Sequence, residues 1–246
     1  MGRFLPPAAS SHAAGMDAML LHVHWMVIGL FVGWAIYFLY VLLRYRAGRN
    51  PHAFREGTRG GVAIFIFVGV VVAEAVLLIG SALPLWFERT SARPSQGNPL
   101  VLRVIGQQFA WNVHYPGADG QFGEASLSLV SADNPIGLDR SSKFGRDDLV
   151  LQNDIHLVLD RPTIVELSSK DVIHSFGIPA MRVKQDIVPG LRSAVWFTPT
   201  MTGEFDVACS QLCGVGHYLM RAVVTVESND AFQKFLADEA KSQVGR

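Results

Sequence analysis

The stretch at residues 209–220, Cys-Ser-Gln-Leu-Cys-Gly-Val-Gly-His-Tyr-Leu-Met, concentrates four potential metal ligands in a short segment. It contains the only two cysteines of the 246-residue chain, Cys209 and Cys213, and they are followed by His217 and Met220. Thiolate and thioether sulfurs select copper, imidazole suits copper or zinc, and a weak axial methionine is typical of copper. The stretch therefore predicts a copper site.

The second cysteine indicates more than one copper ion. A mononuclear blue-copper site takes a single thiolate, whereas two thiolates can bridge two ions and leave each ion needing an imidazole. His217 would supply one, and His174 is the best-placed candidate for the other because it ends a β-patterned run in the same predicted domain. A disulfide between Cys209 and Cys213 is the alternative, because cysteines outside the cytoplasm are usually bonded. A disulfide would not require His217 and Met220 as well.

The spacing Cys-x3-Cys-x3-His-x2-Met, preceded by Asp-Val-Ile-His-Ser at residues 171–175, resembles the binuclear copper (CuA) centre of cytochrome c oxidase subunit II. The resemblance extends over nearly the whole chain, because two apolar segments and the copper stretch come in that family's order. It implies two bridging thiolates, two terminal imidazoles and two weak axial ligands. These are Cys209 and Cys213, His174 and His217, and Met220 with the backbone carbonyl of Gln211.

The resemblance also implies a function and partners. The chain would accept electrons from cytochrome c and pass them to a haem in subunit I, which also holds CuB, reduces oxygen and pumps protons. Subunit III is a further expected partner, and the location is a bacterial-type inner membrane. Residues 88–246 carry 15 Lys+Arg against 18 Asp+Glu, a net charge of −3. This argues against a nucleic-acid footprint and is compatible with a cationic partner or with an ordinary solvated surface.

Two other functions are compatible with parts of the pattern. A quinol oxidase subunit that has lost copper would not retain the side-chain ligands. A membrane-tethered copper-storage or copper-delivery protein would need neither a second membrane span nor an acidic residue within it. The chain contains no Cys-x-x-Cys-His motif, which excludes a fused c-type haem domain.

Two apolar runs precede the copper stretch. Residues 19–43 and 61–87 are each long enough to cross a hydrocarbon core of about 30 Å. The loop at 44–60 carries five arginines and one acid, so the positive-inside rule places it in the cytoplasm. Residues 1–18 are then an external tail, and residues 88–246 form a domain on the periplasmic or outer side. A buried hydrophobic hairpin is the alternative, which the length of both runs disfavours.

The remainder of the chain has the pattern of a β domain. Short β-branched or aromatic runs are separated by Pro, Gly, Asn and Asp, which predicts an all-β cupredoxin-like sandwich or barrel. Residues 116–154 predict a surface insertion, and residues 231–240 a short helix after a Ser-Asn-Asp start signal. The predicted strands are 100–106, 109–114, 155–159, 163–168, 183–188, 194–197, 205–208 and 222–226.

Three residues outside the ligand set bear on electron entry. The segment at residues 106–111 resembles the family's aromatic patch, which usually has two tryptophans, whereas this chain has Phe109 and Trp111. The first position normally receives the electron, so the resemblance implies an altered entry site, and Trp111 is either the entry residue or a core aromatic. Asp171 either belongs to a surface that docks the donor or fixes a nearby loop through backbone hydrogen bonds.

Four residues mark departures from the family pattern. Gln211 stands where glutamate usually reaches an interfacial magnesium ion, and a neutral amide is a poorer ligand for a hard cation. The magnesium contact is therefore expected to be absent or water-mediated. Gly216 replaces a common asparagine, which should change hydrogen bonding in the loop. Glu74 in the second apolar run is either a proton-path residue or a contact with a partner helix, and Glu56 lies nearer the usual position of the proton path.

Overall fold

Within the described residues, ten β-strands form two five-stranded sheets in the C-terminal part of the protein. The computed structural model describes residues 4–49, 60–91, 94 and 97–244. The sheets have the spatial orders β3-β2-β1-β5-β8 and β4-β10-β9-β6-β7. The strands are β1 (Leu100–Gln107), β2 (Ala110–Tyr115), β3 (Leu149–Gln152), β4 (Asp154–Val158), β5 (Thr163–Ser169), β6 (His174–Ile178), β7 (Val183–Ile187), β8 (Ser193–Phe197), β9 (Gly203–Cys209) and β10 (Arg221–Glu227).

Alternating burial along the strands places one core between the two sheets. Every second residue of β1 is buried, beginning with Leu100, and the same alternation recurs in β10. Large side chains from both sheets, such as Trp111 and Phe176, fill the interior. Because successive side chains of a strand point to opposite faces, this alternation is what a two-sheet packing requires. The predicted all-β sandwich is confirmed.

Two strands correct the sequence reading. Strand β3 lies inside the predicted insertion at 116–154, where it pairs with β2 at the edge of the first sheet. His174 begins β6 and does not end a strand. Both strands are short, and β6 contains a serine and a glycine. Their strand state therefore depends on pairing with neighbours more than on local propensity.

A buried His–Asp pair anchors the remaining insertion. The Nε2 atom of His114 lies 2.6 Å from Oδ2 of Asp148, and both side chains are almost inaccessible to solvent. The same carboxylate accepts hydrogen bonds from the backbone N–H groups of Gly117 and Gly123. Burial lowers the pKa of His114, although its contact with Asp148 opposes this effect. The pair therefore fixes both the entry and the exit of the insertion.

The N-terminal residues are part of the β unit and not a detached tail. The backbone N–H of Ala9 donates to Ala180, and that of Thr200 donates to the carbonyl of Ala9. Ala9 is completely buried in the core cluster. The first helix begins at Ala13, earlier than the predicted residue 19. A fragment that begins at residue 88 would lack this packed segment.

The apolar runs form helices in a second compact unit, residues Gly15–Ala92. Two helical spans, Ala13–Arg44 and Gly61–Glu88, have mean hydropathies of 2.3 and 3.0 and are long and apolar enough to cross a membrane. A π-helical turn at Leu78–Ala82 interrupts the second span. In the part of the chain that the structure describes, the α-helices are α1 (Ala13–Arg44), α2 (Gly61–Leu77), α3 (Leu83–Ser91) and α4 (Asn229–Val244).

Candidate metal centre

The predicted ligands meet where one strand begins and its antiparallel neighbour ends. His174 begins β6 and Cys209 ends β9, and the pairing of Phe176 with Cys209 brings these ends together. The remaining side-chain ligands lie on residues 210–220 between β9 and β10, a segment that we call the ligand loop. Backbone bonds from Cys209 to Met220 and from Ser210 to Ser175 attach this loop to the sheet. Antiparallel pairing therefore unites ligands that are distant in sequence.

The two cysteines are free, buried thiols that face each other. Their Sγ atoms are 3.8 Å apart, whereas a disulfide requires about 2.05 Å. Cys209 and Cys213 are 8% and 4% exposed, respectively. The arrangement is that of two thiols available to a common metal site, and not that of a structural disulfide.

Each thiol has its own imidazole and its own weaker donor. Cys209 Sγ lies 4.0 Å from Nδ1 of His174 and 3.1 Å from the carbonyl oxygen of Gln211. The equivalent contacts of Cys213 Sγ are 3.5 Å to Nδ1 of His217 and 3.7 Å to Sδ of Met220. The six groups therefore form two similar halves that meet at the pair of sulfurs. We call them the strand half (Cys209, His174, Gln211) and the loop half (Cys213, His217, Met220).

The donor set fits soft metal ions. The ligand atoms of His174, Cys209 and Cys213 all lie within 4.8 Å of one another. Among the described residues this compact group does not extend to His217, which contacts only the Cys213 side. Two thiols, two imidazoles and a thioether are ligands that select copper over hard cations. A division of the imidazoles between the two sulfurs matches a site for two ions better than a site for one.

Asp171 holds the imidazole of the strand half in place. Its Oδ1 atom lies 2.8 Å from Nε2 of His174, which leaves Nδ1 directed at Cys209. The carboxylate also accepts hydrogen bonds from the backbone N–H groups of Gln108 and Val172. Burial favours the neutral acid, but these hydrogen bonds outweigh it and lower the pKa of Asp171. Such partners set the tautomer and direction of a metal-binding histidine.

Burial also raises the pKa of Cys213, the thiol of the loop half. The pKa of Cys213 is raised to about 11, first by desolvation and then by its contact with Cys209. Metal binding requires the thiolate, so an ion that enters this site must displace a proton. The metal-free centre therefore holds a protonated thiol at neutral pH.

Gln108 is a site residue that the sequence reading missed. It belongs to the turn between β1 and β2, in the other sheet, and its backbone N–H donates to Asp171 over 2.7 Å. Its side-chain amide donates to the carbonyl oxygen of Cys213 over 2.6 Å. The only sequence signal was its position inside the aromatic segment at residues 106–111, next to Phe109.

Comparison with known proteins shows the family of the chain. Residues 100–227 match the family model described as cytochrome c oxidase subunit II, periplasmic domain. The chain belongs to the cytochrome c oxidase subunit II family. The alternative cytochrome c oxidase subunit 2 of Bradyrhizobium diazoefficiens is 33% identical over 216 residues, which cover 87% of this chain and 76% of that relative. The protein is therefore subunit II of a haem-copper oxidase.

Two further members of the subunit II family show the extent of the similarity. Cytochrome c oxidase subunit 2 of Cereibacter sphaeroides is 26% identical over 250 residues, covering 94% of this chain and 80% of that protein. The solved periplasmic domain of subunit II from Bradyrhizobium japonicum is 26% identical. It aligns with a TM-score of 0.45 over 61% of this chain and 99% of its own length.

The aromatic residues of this subunit II lie differently from a simple surface patch. Trp111 is completely buried, and its ring centroid is 6.0 Å from that of His174. This location corresponds to the core-aromatic alternative. Phe109 is partly buried, and its ring lies against Gly214 and Gly216 of the ligand loop. Electron entry at either aromatic stays a prediction.

The remaining predicted residues are placed as follows. The side chain of Gln211 is exposed to solvent, whereas its backbone carbonyl contacts Sγ of Cys209. Glu74 lies in α2 with an exposed side chain. Glu56 lies outside the described residues. The magnesium contact and the two proton-path assignments remain predictions.

Proposed function

We propose that this subunit II holds a mixed-valence binuclear copper centre that accepts electrons from cytochrome c. It passes them to the haem of subunit I, where oxygen is reduced and protons are translocated. The observation that carries the proposal is the paired arrangement of donors. Each of two facing thiols has one imidazole and one weak ligand of its own. The proposed copper ligands are therefore His174, Cys209, the Gln211 carbonyl, Cys213, His217 and Met220.

When bound, the copper pair would supply a one-electron redox couple whose charge is shared between two ions. The protein's part is to hold the donors in nearly the same positions in both oxidation states. His174, Cys209 and Cys213 are almost excluded from solvent, and the strand half is attached to paired backbone. Ligands held in this way limit the rearrangement that accompanies gain or loss of an electron.

An apolar surface next to the ligands supports contact with a partner protein. Leu212, Val215, Tyr218 and Leu219 of the ligand loop are 76%, 94%, 80% and 63% exposed. A cluster of large apolar side chains exposed around a redox site is typical of an interface. Three of these residues, Val215, Tyr218 and Leu219, lie within two positions of His217. Subunit I or the electron donor would cover this surface. Asp171 would contribute to donor docking in addition to orienting His174.

The helices support a location in a bacterial inner membrane, with the copper unit on the periplasmic side. Arg44 ends the first span and Arg46 and Arg49 follow it directly, and the positive-inside rule places such a loop in the cytoplasm. Glu74 lies 13 residues after Gly61, about 20 Å along the helix, and so at the depth of the hydrocarbon region. An acid at that depth is a candidate for a proton path or for pairing with subunit I.

The test uses the whole chain in detergent, because the N-terminal residues pack into the β unit. The metal-free protein is loaded with copper and examined by copper analysis, visible spectroscopy and electron paramagnetic resonance. We expect two copper ions per chain, a purple chromophore and a seven-line hyperfine pattern, because one unpaired electron is shared equally by two copper nuclei. A four-line spectrum, or a disulfide between Cys209 and Cys213, would refute the electron-entry role and favour copper delivery.

A further inference from the structure

We propose that Gln108 is a positioning residue that ties the two halves of the metal centre to each other and to the opposite sheet. The inference rests on the proposed function in so far as the centre holds copper. Gln108 contacts no reacting atom itself, and it acts through Asp171 and Cys213.

The backbone of Gln108 fixes the strand half. Its N–H donates to one carboxylate oxygen of Asp171 over 2.7 Å, and the other oxygen lies 2.8 Å from Nε2 of His174. The bond to His174 determines which way the imidazole points. The bond from Gln108 determines where the carboxylate lies, and it therefore also affects the direction of the imidazole. This route needs only the backbone and therefore survives replacement of the Gln108 side chain.

The side chain of Gln108 fixes the loop half. Its Nε2 donates over 2.6 Å to the carbonyl of Cys213, the residue whose thiol serves this half of the centre. The following residue, Gly214, has φ +135°, and a Cβ there would come within 2.8 Å of the Gln108 amide. Glycine at 214 therefore both adopts the required backbone conformation and leaves room for the amide.

The two bonds converge from a different sheet. His174 and Cys209 belong to β6 and β9 of the second sheet, whereas Gln108 follows β1 of the first. The ligand loop is attached to its own sheet by the backbone bonds of Cys209 and Ser210. Gln108 adds a point of attachment in the middle of the loop, beside Cys213. Two attachments at the base still allow the loop to rotate about its base. A third attachment at a separate point prevents that rotation and so restricts the loop further.

Gln107 offers a matched control. It is the neighbouring residue with the same side chain, but its amide oxygen accepts a hydrogen bond from Lys170. Among the described residues, no side-chain hydrogen bond joins Gln107 to the ligand loop. Replacing Gln107 or Gln108 by leucine changes the composition in the same way at adjacent positions. The comparison therefore isolates the bond to Cys213 from general effects on the turn.

The experiment compares four whole-chain proteins in detergent: the unchanged chain, Gln108→Leu, Gln108→Lys and Gln107→Leu. Lysine at 108 retains an N–H donor of sufficient reach to the Cys213 carbonyl. Far-UV circular dichroism and the melting temperature check folding. Amide hydrogen exchange of residues 212–219 is measured in the metal-free proteins. Copper affinity is measured by competition with a chelator, and the hyperfine spectrum of each copper-loaded protein is recorded.

We expect Gln108→Leu to accelerate amide exchange in the ligand loop and to lower copper affinity by about 10–100-fold, the usual cost of losing a partner of a metal ligand. Its hyperfine lines should become unequal in spacing, because the two halves lose their matched geometry. Gln108→Lys should restore affinity, and Gln107→Leu should remain within about twofold of the unchanged chain.

The inference is overturned if Gln108→Leu matches Gln107→Leu in loop exchange and affinity, or if Gln108→Lys is as impaired as Gln108→Leu. Failure of the proposed function looks different, because the unchanged chain itself would then bind no copper pair. The metal-free exchange data test the attachment of the loop in either case. If Gln108→Leu does not fold, Gln108→Glu, which has a side chain of the same length but no N–H donor, replaces it in the comparison, with Gln107→Glu as its control.

Discussion

The strand half and the loop half of the centre contain similar donors but are held in different ways. In the strand half, His174 is completely buried, and Asp171 orients its ring. In the loop half, His217 is only partly buried and lies in a short 3-10 turn, between residues with exposed apolar side chains. Paired strands fix the first half, whereas hydrogen bonds from the loop and from Gln108 fix the second.

One centre therefore combines a ligand set held by paired strands with a second set that lies beside exposed apolar side chains. Burial of His174 protects the geometry of the strand half from solvent. The partial exposure of His217 brings the loop half near the surface that subunit I or the donor would cover. Variants that affect one half at a time should therefore have unequal consequences.

Removing each histidine gives the largest expected effect. His174→Ala should abolish the copper pair, because it opens a buried cavity and leaves the Asp171 carboxylate without its imidazole partner. His217→Ala should also lose the pair, but added imidazole should restore it, because this position is accessible from solvent. The measurement is copper stoichiometry and the hyperfine spectrum, with and without imidazole. Equal rescue of both variants would contradict the distinction between the halves.

Asp171→Asn tests the orientation of the strand half. The amide has only one acceptor oxygen, whereas the carboxylate uses one oxygen for His174 and the other for the Gln108 N–H. One of the two hydrogen bonds is lost, so copper affinity should fall about tenfold. The loop half should keep its own contacts. Chelator competition measures the affinity. Asp186→Asn, a change of the same type on β7, is the control, and a similar loss there would point to charge and not to orientation.

Gly216→Ala tests the packing of the loop half against Phe109. Gly216 has φ −94°, which alanine tolerates, but a Cβ there would collide with the Phe109 ring. Overpacking of this kind should destabilise the metal-free protein by about 1–3 kcal/mol. Thermal unfolding of Gly216→Ala, Phe109→Leu and the double variant gives the coupling. If the two effects simply add, the ring is not the obstacle.

The smallest expected effect concerns the sheets and not the centre. Burial lowers the pKa of His114, so below about pH 6.5 the unfolded chain takes up a proton that the folded chain resists. Stability should therefore fall as pH decreases from 6.5 towards the folded-state pKa, and be unaffected by this group above pH 6.5. Melting temperatures between pH 8 and 5 measure this. His114→Gln, which keeps a donor for Asp148, should flatten the profile.

The kind of ligands and the segments that could carry them were predictable from local sequence. Thiol, imidazole and thioether chemistry follows from residue type, and the spacing from Cys209 to Met220 is local. The apolar runs and most strands were equally predictable, because hydrophobic length and alternation are properties of neighbouring residues. The helix start at Ala13 and the short strands β3 and β6 were not, since packing and pairing with distant segments stabilise them.

How those ligands are held depends on contacts between segments that are distant in the chain. The contact of Gln108 with Cys213 joins residues 105 positions apart, and no periodicity in the sequence encodes such a distance. The sequence left open whether Trp111 is a surface or a core aromatic, and in the structure it is buried between the two sheets. The sequence allowed Asp171 to dock a donor or to fix a nearby loop, and the structure shows that it accepts hydrogen bonds from the backbone N–H groups of Gln108 and Val172. Residue type sets which atoms can bind a metal, and strand register sets which of them meet.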